Sequence, residues 1–195
     1  VYNGETWSYI QPNGQTIALP ACNEVSSFFS EGLSVIQAEN GQYGYVNADG
    51  TYAIPPQFDD ARHFSESLAP VSANNQYGFI NHKGKYTIAP AYEDANYFSE
   101  SLAAVKVNDK YGYINKKGDW IIAAQFDDAQ PFTQGLAKIV LSGFYGFIDE
   151  RGEFVVYPEY DWAFDFSEGI AAIEKQGNYG YIDRNGRTII VPQYE

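Results

Sequence analysis

Between Tyr111 and Ala123 the apolar and polar positions fall in the pattern of a β-hairpin. Tyr111-Gly112-Tyr113-Ile114-Asn115 is a short aromatic and β-branched run, and Trp120-Ile121-Ile122 resumes it after a polar loop. The loop, Lys116-Lys117-Gly118, ends in a glycine able to take positive φ. The two tyrosines of the first run point to one face and Ile114 to the other, and Leu102 to Val107 is likewise apolar on both faces. Both faces therefore need cover, which predicts small sheets stacked face to face rather than one broad sheet with a wetted side. A lone hairpin of this size is marginal in water, so its value lies in repetition.

The repetition is plain. Heads of the form aromatic-glycine-aromatic-aliphatic begin at Tyr43, Tyr77, Tyr111, Tyr145 and Tyr179, each step being 34 residues, and a worn copy, Trp7-Ser8-Tyr9-Ile10, stands 36 residues before Tyr43. Hairpin glycines follow in step at Gly14, Gly50, Gly84, Gly118, Gly152 and Gly186. A second block, such as Pro56-Gln57-Phe58-Asp59-Asp60-Ala61 or Pro90-Ala91-Tyr92-Glu93-Asp94-Ala95, lies behind each hairpin, its proline suited to a strand end or edge. A third, such as Phe98-Ser99-Glu100-Ser101-Leu102, leads into a strand like Leu102 to Val107. Each repeat thus predicts three clear strands and one short aromatic segment.

These blocks, running from Trp7 to Glu195, resemble the bacterial WG-repeat family. Its units carry a tryptophan-glycine head, a lysine-glycine turn, an isoleucine-proline-proline stretch and a phenylalanine-serine-glutamate-glycine-leucine tail. The chain departs from that pattern in having tyrosine in five heads and Ser8 for glycine in the copy that keeps Trp7. The resemblance implies a repeat scaffold, often exported or at the cell surface, and no assigned catalytic residues. The expected fold is all-β, one repeat domain over residues 1–195 with heads at 7, 43, 77, 111, 145 and 179 and the last repeat incomplete. A β-propeller-like ring of short blades is favoured, with an open solenoid of stacked hairpins as the alternative.

Composition narrows the partners. Of 195 residues 45% are hydrophobic and 17% aromatic, ample for a core, and 12 basic against 25 acidic residues give a net charge of −13. Phosphate backbones and anionic lipid are repelled, so nucleic acid is not expected as a partner. No apolar run approaches the roughly 20 residues of a membrane-spanning helix, so membrane insertion is not expected. The single cysteine, Cys22, allows no internal disulfide and reads as a small buried replacement for an aromatic. The chain opens on Val1 and has no methionine, which fits either a processed mature chain, and with it an extracellular or surface location, or a segment excised from a longer one.

Candidate chemistry is sparse. His63 and His82 occupy freely varying slots and are expected at the solvated surface. The acidic pairs Asp59-Asp60, Glu93-Asp94 and Asp127-Asp128 read first as turn chemistry and second as a Ca²⁺ ring that Trp162 breaks. No nucleophile elbow, phosphate loop, paired metal motif or dinucleotide fingerprint is present, so neither an enzyme nor a cofactor is expected. One local anomaly stands out: Val140 replaces Lys106 or Glu174, Phe144 replaces Lys110 or Asn178, Tyr157 replaces Ala89 or Ala123, and Trp162 replaces Asp60, Asp94 or Asp128. Sharing a face, these would form a contact patch.

The expected function is a non-enzymatic structural or protein-interaction module. A sharper form has it assemble head to tail into a filament or tube. The strand edge at Thr188, Ile189, Ile190 and Val191 would then accept the Val1-Tyr2 segment of the next copy. The alternative is a carbohydrate-binding module that uses aromatic clefts between repeats.

Overall fold

The computed structural model describes residues 1–4 and 6–195, all described elements being strands. It divides into two compact units, residues 1–98 and 99–195. In the first, β1 (Ser8–Ile10) and β2 (Thr16–Ala18) form a two-stranded antiparallel sheet. A four-stranded sheet follows in chain order, β3 (Cys22–Val25), β4 (Leu33–Ala38), β5 (Tyr43–Asn47) and β6 (Tyr52–Phe58). The next has the same order in β7 (Asp60–Ala61), β8 (Ala69–Ala73), β9 (Gln76–Ile80) and β10 (Tyr86–Tyr92). The unit closes with β11 (Asp94–Ala95).

In the second unit β12 (Leu102–Val107), β13 (Lys110–Asn115) and β14 (Trp120–Phe126) are neighbours in that order. Two four-stranded sheets complete it. One holds β15 (Asp128–Ala129), β16 (Ala137–Leu141), β17 (Phe144–Ile148) and β18 (Phe154–Tyr160). The other holds β19 (Trp162–Ala163), β20 (Ile170–Lys175), β21 (Asn178–Asp183) and β22 (Thr188–Tyr194). The sequence pattern thus misses a short strand, two residues long in β7, β11 and β15, where it is an aspartate-alanine pair, and in β19, where it is Trp162–Ala163. The prolines also lie inside the third long strand, which tolerates them because it is the outermost of its sheet.

The head glycine has a steric cause. Pairing of β13 with β14 jumps from Tyr113↔Ile122 to Tyr111↔Phe126, so extra residues of β14 bulge over Gly112. A Cβ on Gly112 would lie 2.5 Å from the Ile122 carbonyl oxygen and 2.6 Å from the Ala124 nitrogen. In the worn copy Ser8↔Ala18 and Tyr9↔Ile17 pair without a shift, which leaves room for a side chain and explains Ser8. The tails are two-residue hairpin turns: Glu31 and Gly32 both have positive φ, 51° and 83°, between the bridged Ser30 and Leu33.

Successive copies lock together through aromatic rings. The second head aromatic meets the next tail phenylalanine at 4.9 Å for Tyr45 and Phe64, 4.8 Å for Phe79 and Phe98, and 4.7 Å for Phe147 and Phe166. The tail serine adds a hydrogen bond across the same step, Ser65 Oγ donating to the Phe98 carbonyl at 2.6 Å and Ser99 Oγ to the Phe132 carbonyl at 2.6 Å. Tyr113 and Ile114, adjacent and pointing oppositely, are both fully buried, as expected for sheets covered on both faces. The Tyr113 hydroxyl, whose pKa burial raises, donates to the Gln130 carbonyl at 2.8 Å.

Candidate functional site

The apolar departures of the second unit sit on β16 to β19. Across β15, β16 and β17 the residues Asp128, Val140 and Tyr145 are directly opposite one another and share a face. The Tyr145 ring meets Trp162 at a centroid distance of 4.8 Å, and Trp162 meets Phe164 at 6.4 Å. Val140 and Trp162 are thereby brought into one run of apolar groups through Tyr145. Trp162 is 44% and Phe164 49% exposed. Phe144, next to Tyr145 and therefore on the opposite face of the hairpin, pairs with Leu141. Tyr157, 67% exposed on the outermost strand, packs on Phe154 at 5.0 Å. Phe164 escaped the sequence reading, although comparison at the repeat spacing marks it: the same slot holds Arg62, Asn96 and Gln130.

The acidic pairs are spent on turns, on partners in their own sheets and on cations of neighbouring ones. Asp59 and Asp161 accept from the backbone nitrogens of Asn74 and Gln176 at 2.7 and 2.6 Å. Asp127 accepts from Lys110, which holds its carboxyl below the usual range. Asp60 accepts from the Tyr77 hydroxyl; burial, then that hydrogen bond, push the Tyr77 pKa up to about 12. Among the described residues no three His, Cys, Asp or Glu side chains converge as a metal site.

Both histidines make ring contacts, His82 at the exposed surface and His63 half-buried. His82 lies flat on Phe64, centroids 4.4 Å apart and planes 11° apart, with Nε2 2.9 Å from Glu31. His63 stands between Phe28 at 5.5 Å and Tyr97 at 4.5 Å. Cys22 is half-buried beside Leu19, Ile36 and Val46, and burial raises its thiol pKa. At the proposed assembly edge Thr188, Ile189 and Val191 are exposed and Ile190 half-buried. Val1 and Tyr2 are held by their own chain. Val1 and Ser8 exchange backbone hydrogen bonds at 2.6 and 2.8 Å, and Tyr2 packs on Trp7 at 5.2 Å.

A second feature belongs to the first unit alone. Phe28, His63 and Tyr97 each precede a tail phenylalanine, and in space they form three steps of one aromatic wall. The wall borders a cleft of about 420 Å³ whose polar lining includes Glu24, Gln37, Arg62 and Asn96. Arg62 is fixed there, donating to Asp94 Oδ1 at 2.6 Å, the Ala95 carbonyl at 2.7 Å and Asn96 Oδ1 at 3.1 Å. Its guanidinium also lies 5.2 Å from the Tyr77 ring centroid. Burial first, then the Arg62 charge, lower the His63 pKa, so this ring is uncharged near neutral pH.

The family profile described as WG containing repeat matches residues 7–42, 43–77, 77–111, 111–143, 145–179 and 179–195. No curated protein sequence matches the chain significantly. Among solved structures it is similar to BamB from Moraxella catarrhalis, with a TM-score of 0.55 at 9% identity over 83% of this chain and 58% of that one. It is similar also to Kluyveromyces lactis Hsv2p, with a TM-score of 0.56 at 7% identity over 94% of this chain and 70% of that one. The chain therefore spans less than two thirds of BamB. Both are β-propellers, and the likeness shows a propeller-like fold.

Proposed function

The chain belongs to the WG containing repeat family, and from that scaffold we propose a non-catalytic module that binds a protein partner through the aromatic face around Trp162. One observation carries this reading: Tyr145, Trp162 and Phe164 run ring to ring with Trp162 and Phe164 about half exposed. Tyr145 keeps the head tyrosine of the other copies, whereas the Trp162 slot elsewhere holds Asp60, Asp94 and Asp128 and the Phe164 slot Arg62, Asn96 and Gln130. Exposed tryptophan and tyrosine, rigid and large, are the residue types that dominate protein interfaces. On a chain of charge −13 an uncharged aromatic island is also where a partner meets least repulsion.

Selection of peptides from a display library against the full chain tests it. Enriched peptides are expected to lose binding when Trp162 is replaced by asparagine. Enrichment that ignores the substitution overturns the reading.

Head-to-tail assembly is a finer form of the same proposal. In its favour is the outermost strand β22, on which Val191 is 60% exposed. It requires Val1 and Tyr2 to leave the partners they hold in their own chain. Light scattering over a concentration series decides it, since a chain that stays monomeric throughout does not polymerise.

A further inference from the structure

We propose that the cleft of residues 1–98 is a separate binding site for an uncharged saccharide, stacked against the wall of Phe28, His63 and Tyr97. The wall is specific to this part of the chain. The same slot in the next two copies holds Pro131 and Asp165, so the scaffold does not demand an aromatic there. Three successive copies each contribute one ring, at centroid separations of 5.5 and 4.5 Å and inclinations of 67° and 44°. Phe28 is 51% exposed, so these rings present faces and edges to the cleft rather than filling a core.

The polar lining points to hydroxyl groups. Arg62 is committed to Asp94, Ala95 and Asn96 and holds Asn96 in place, while the Glu24 carboxylate and the amide oxygen of Gln37 offer acceptors suited to the hydroxyls of a sugar ring. A pyranose has an apolar C–H face as well as a hydroxyl rim, which is the division this cleft shows. The volume of about 420 Å³ lies within the range of small-molecule sites.

Charge selects against an anionic ligand. The Arg62 guanidinium is balanced by Asp94 at 2.6 Å, and His63 is uncharged near neutral pH. Glu24 and the net charge of −13 repel an anion.

Saturation-transfer NMR on the full chain tests the proposal with four neutral trisaccharides, built of β-linked glucose, α-linked glucose, N-acetylglucosamine and mannose. A trimer of galacturonic acid and a proline-rich peptide serve as competitors of other chemistry. At least one neutral trisaccharide is expected to bind. Phe28→Ala and Tyr97→Ala should each weaken it roughly tenfold, an effect of the size of one aromatic contact. Glu24→Gln should weaken it as well, while Trp162→Asn leaves it unchanged, which separates this site from the proposed partner face. Phe28 and Glu24 are exposed, so both variants are expected to keep the wild-type melting temperature. The proposal is overturned if no neutral trisaccharide binds at millimolar concentration, if the acidic trimer or the peptide binds instead, or if binding ignores the cleft substitutions.

Discussion

Tyr145 and Trp162 stand ring against ring, centroids 4.8 Å apart and planes inclined by 53°. One turn of the repeat in the first unit sets Tyr43 and Asp60 at the same two positions, and there the carboxylate accepts from Tyr77 of its own sheet. Trp162 cannot accept such a bond. A hydrogen bond within one sheet has thus been exchanged for a ring contact between two, with the outer part of the indole left in solvent. That exchange is the physical content of the anomaly seen along the chain.

Replacing Trp162 by asparagine removes the ring without setting a second carboxylate opposite Glu174, its cross-strand neighbour. Folding stability should fall by about 1 kcal/mol or less, since the side chain is only partly buried. Partner affinity should fall by about 2 kcal/mol or more if the ring anchors the interface. Urea denaturation and titration of a selected peptide read the two effects separately.

The head glycine should be the least replaceable residue of each repeat. Gly112→Ala forces a Cβ to within 2.5 Å of a backbone oxygen that belongs to a bulge and cannot swing aside. The expected loss is on the order of 3 kcal/mol. Ser8→Ala, at the matching position of the unbulged copy, should cost less than about 1 kcal/mol. Equal losses in the two urea curves would remove the steric account.

Two tails carry serine where the turn prefers glycine. Ser101 has φ of 69° and Ser67 of 72°, while Gly32, Gly135 and Gly169 take the same place elsewhere. Ser101→Gly should therefore stabilise the protein by about 1 kcal/mol, relieving the left-handed conformation of a residue with a Cβ. Thermal unfolding checks the sign.

Acid should weaken the hairpin turns. Asp183 accepts from the backbone nitrogens of Asn185 and Arg187, each at 2.9 Å, and these bonds lower its pKa in the folded chain. Its contribution is therefore present above the unfolded-state value near 4 and is lost as pH falls through the folded value. Asn81 and Asn115 make the equivalent turn bonds without a charge. Asp183→Asn should leave stability at neutral pH nearly unchanged and make its decline in acid shallower, measured by urea midpoints across the acid range.

Much of the scaffold could be read along the chain because its cause is local. The hairpin over Tyr111 to Ile122, the repeat step and the two-sided burial of Tyr113 and Ile114 all follow from alternation, turn glycines and near neighbours. The strand Asp60–Ala61 did not emerge, since two residues are too few to alternate. The reason for the head glycine was equally hidden, because a bulge is a property of the partner strand. His63 sits in a freely varying slot, which hid the wall that it forms with Phe28 and Tyr97, and Phe164 passed unnoticed.

What the sequence determined by itself was the unit: its strands, its turns, and the demand that each sheet be covered on both faces. Only the tertiary structure decided which rings of successive copies meet, joining Val140 to Trp162 through Tyr145 while sending Phe144 to the other face and Tyr157 to Phe154. Hydrogen bonding and side-chain alternation act between residues close in the chain or across one turn. The offset with which one sheet lies on the next is set by packing between residues a full repeat apart, and it is that offset which builds the surface.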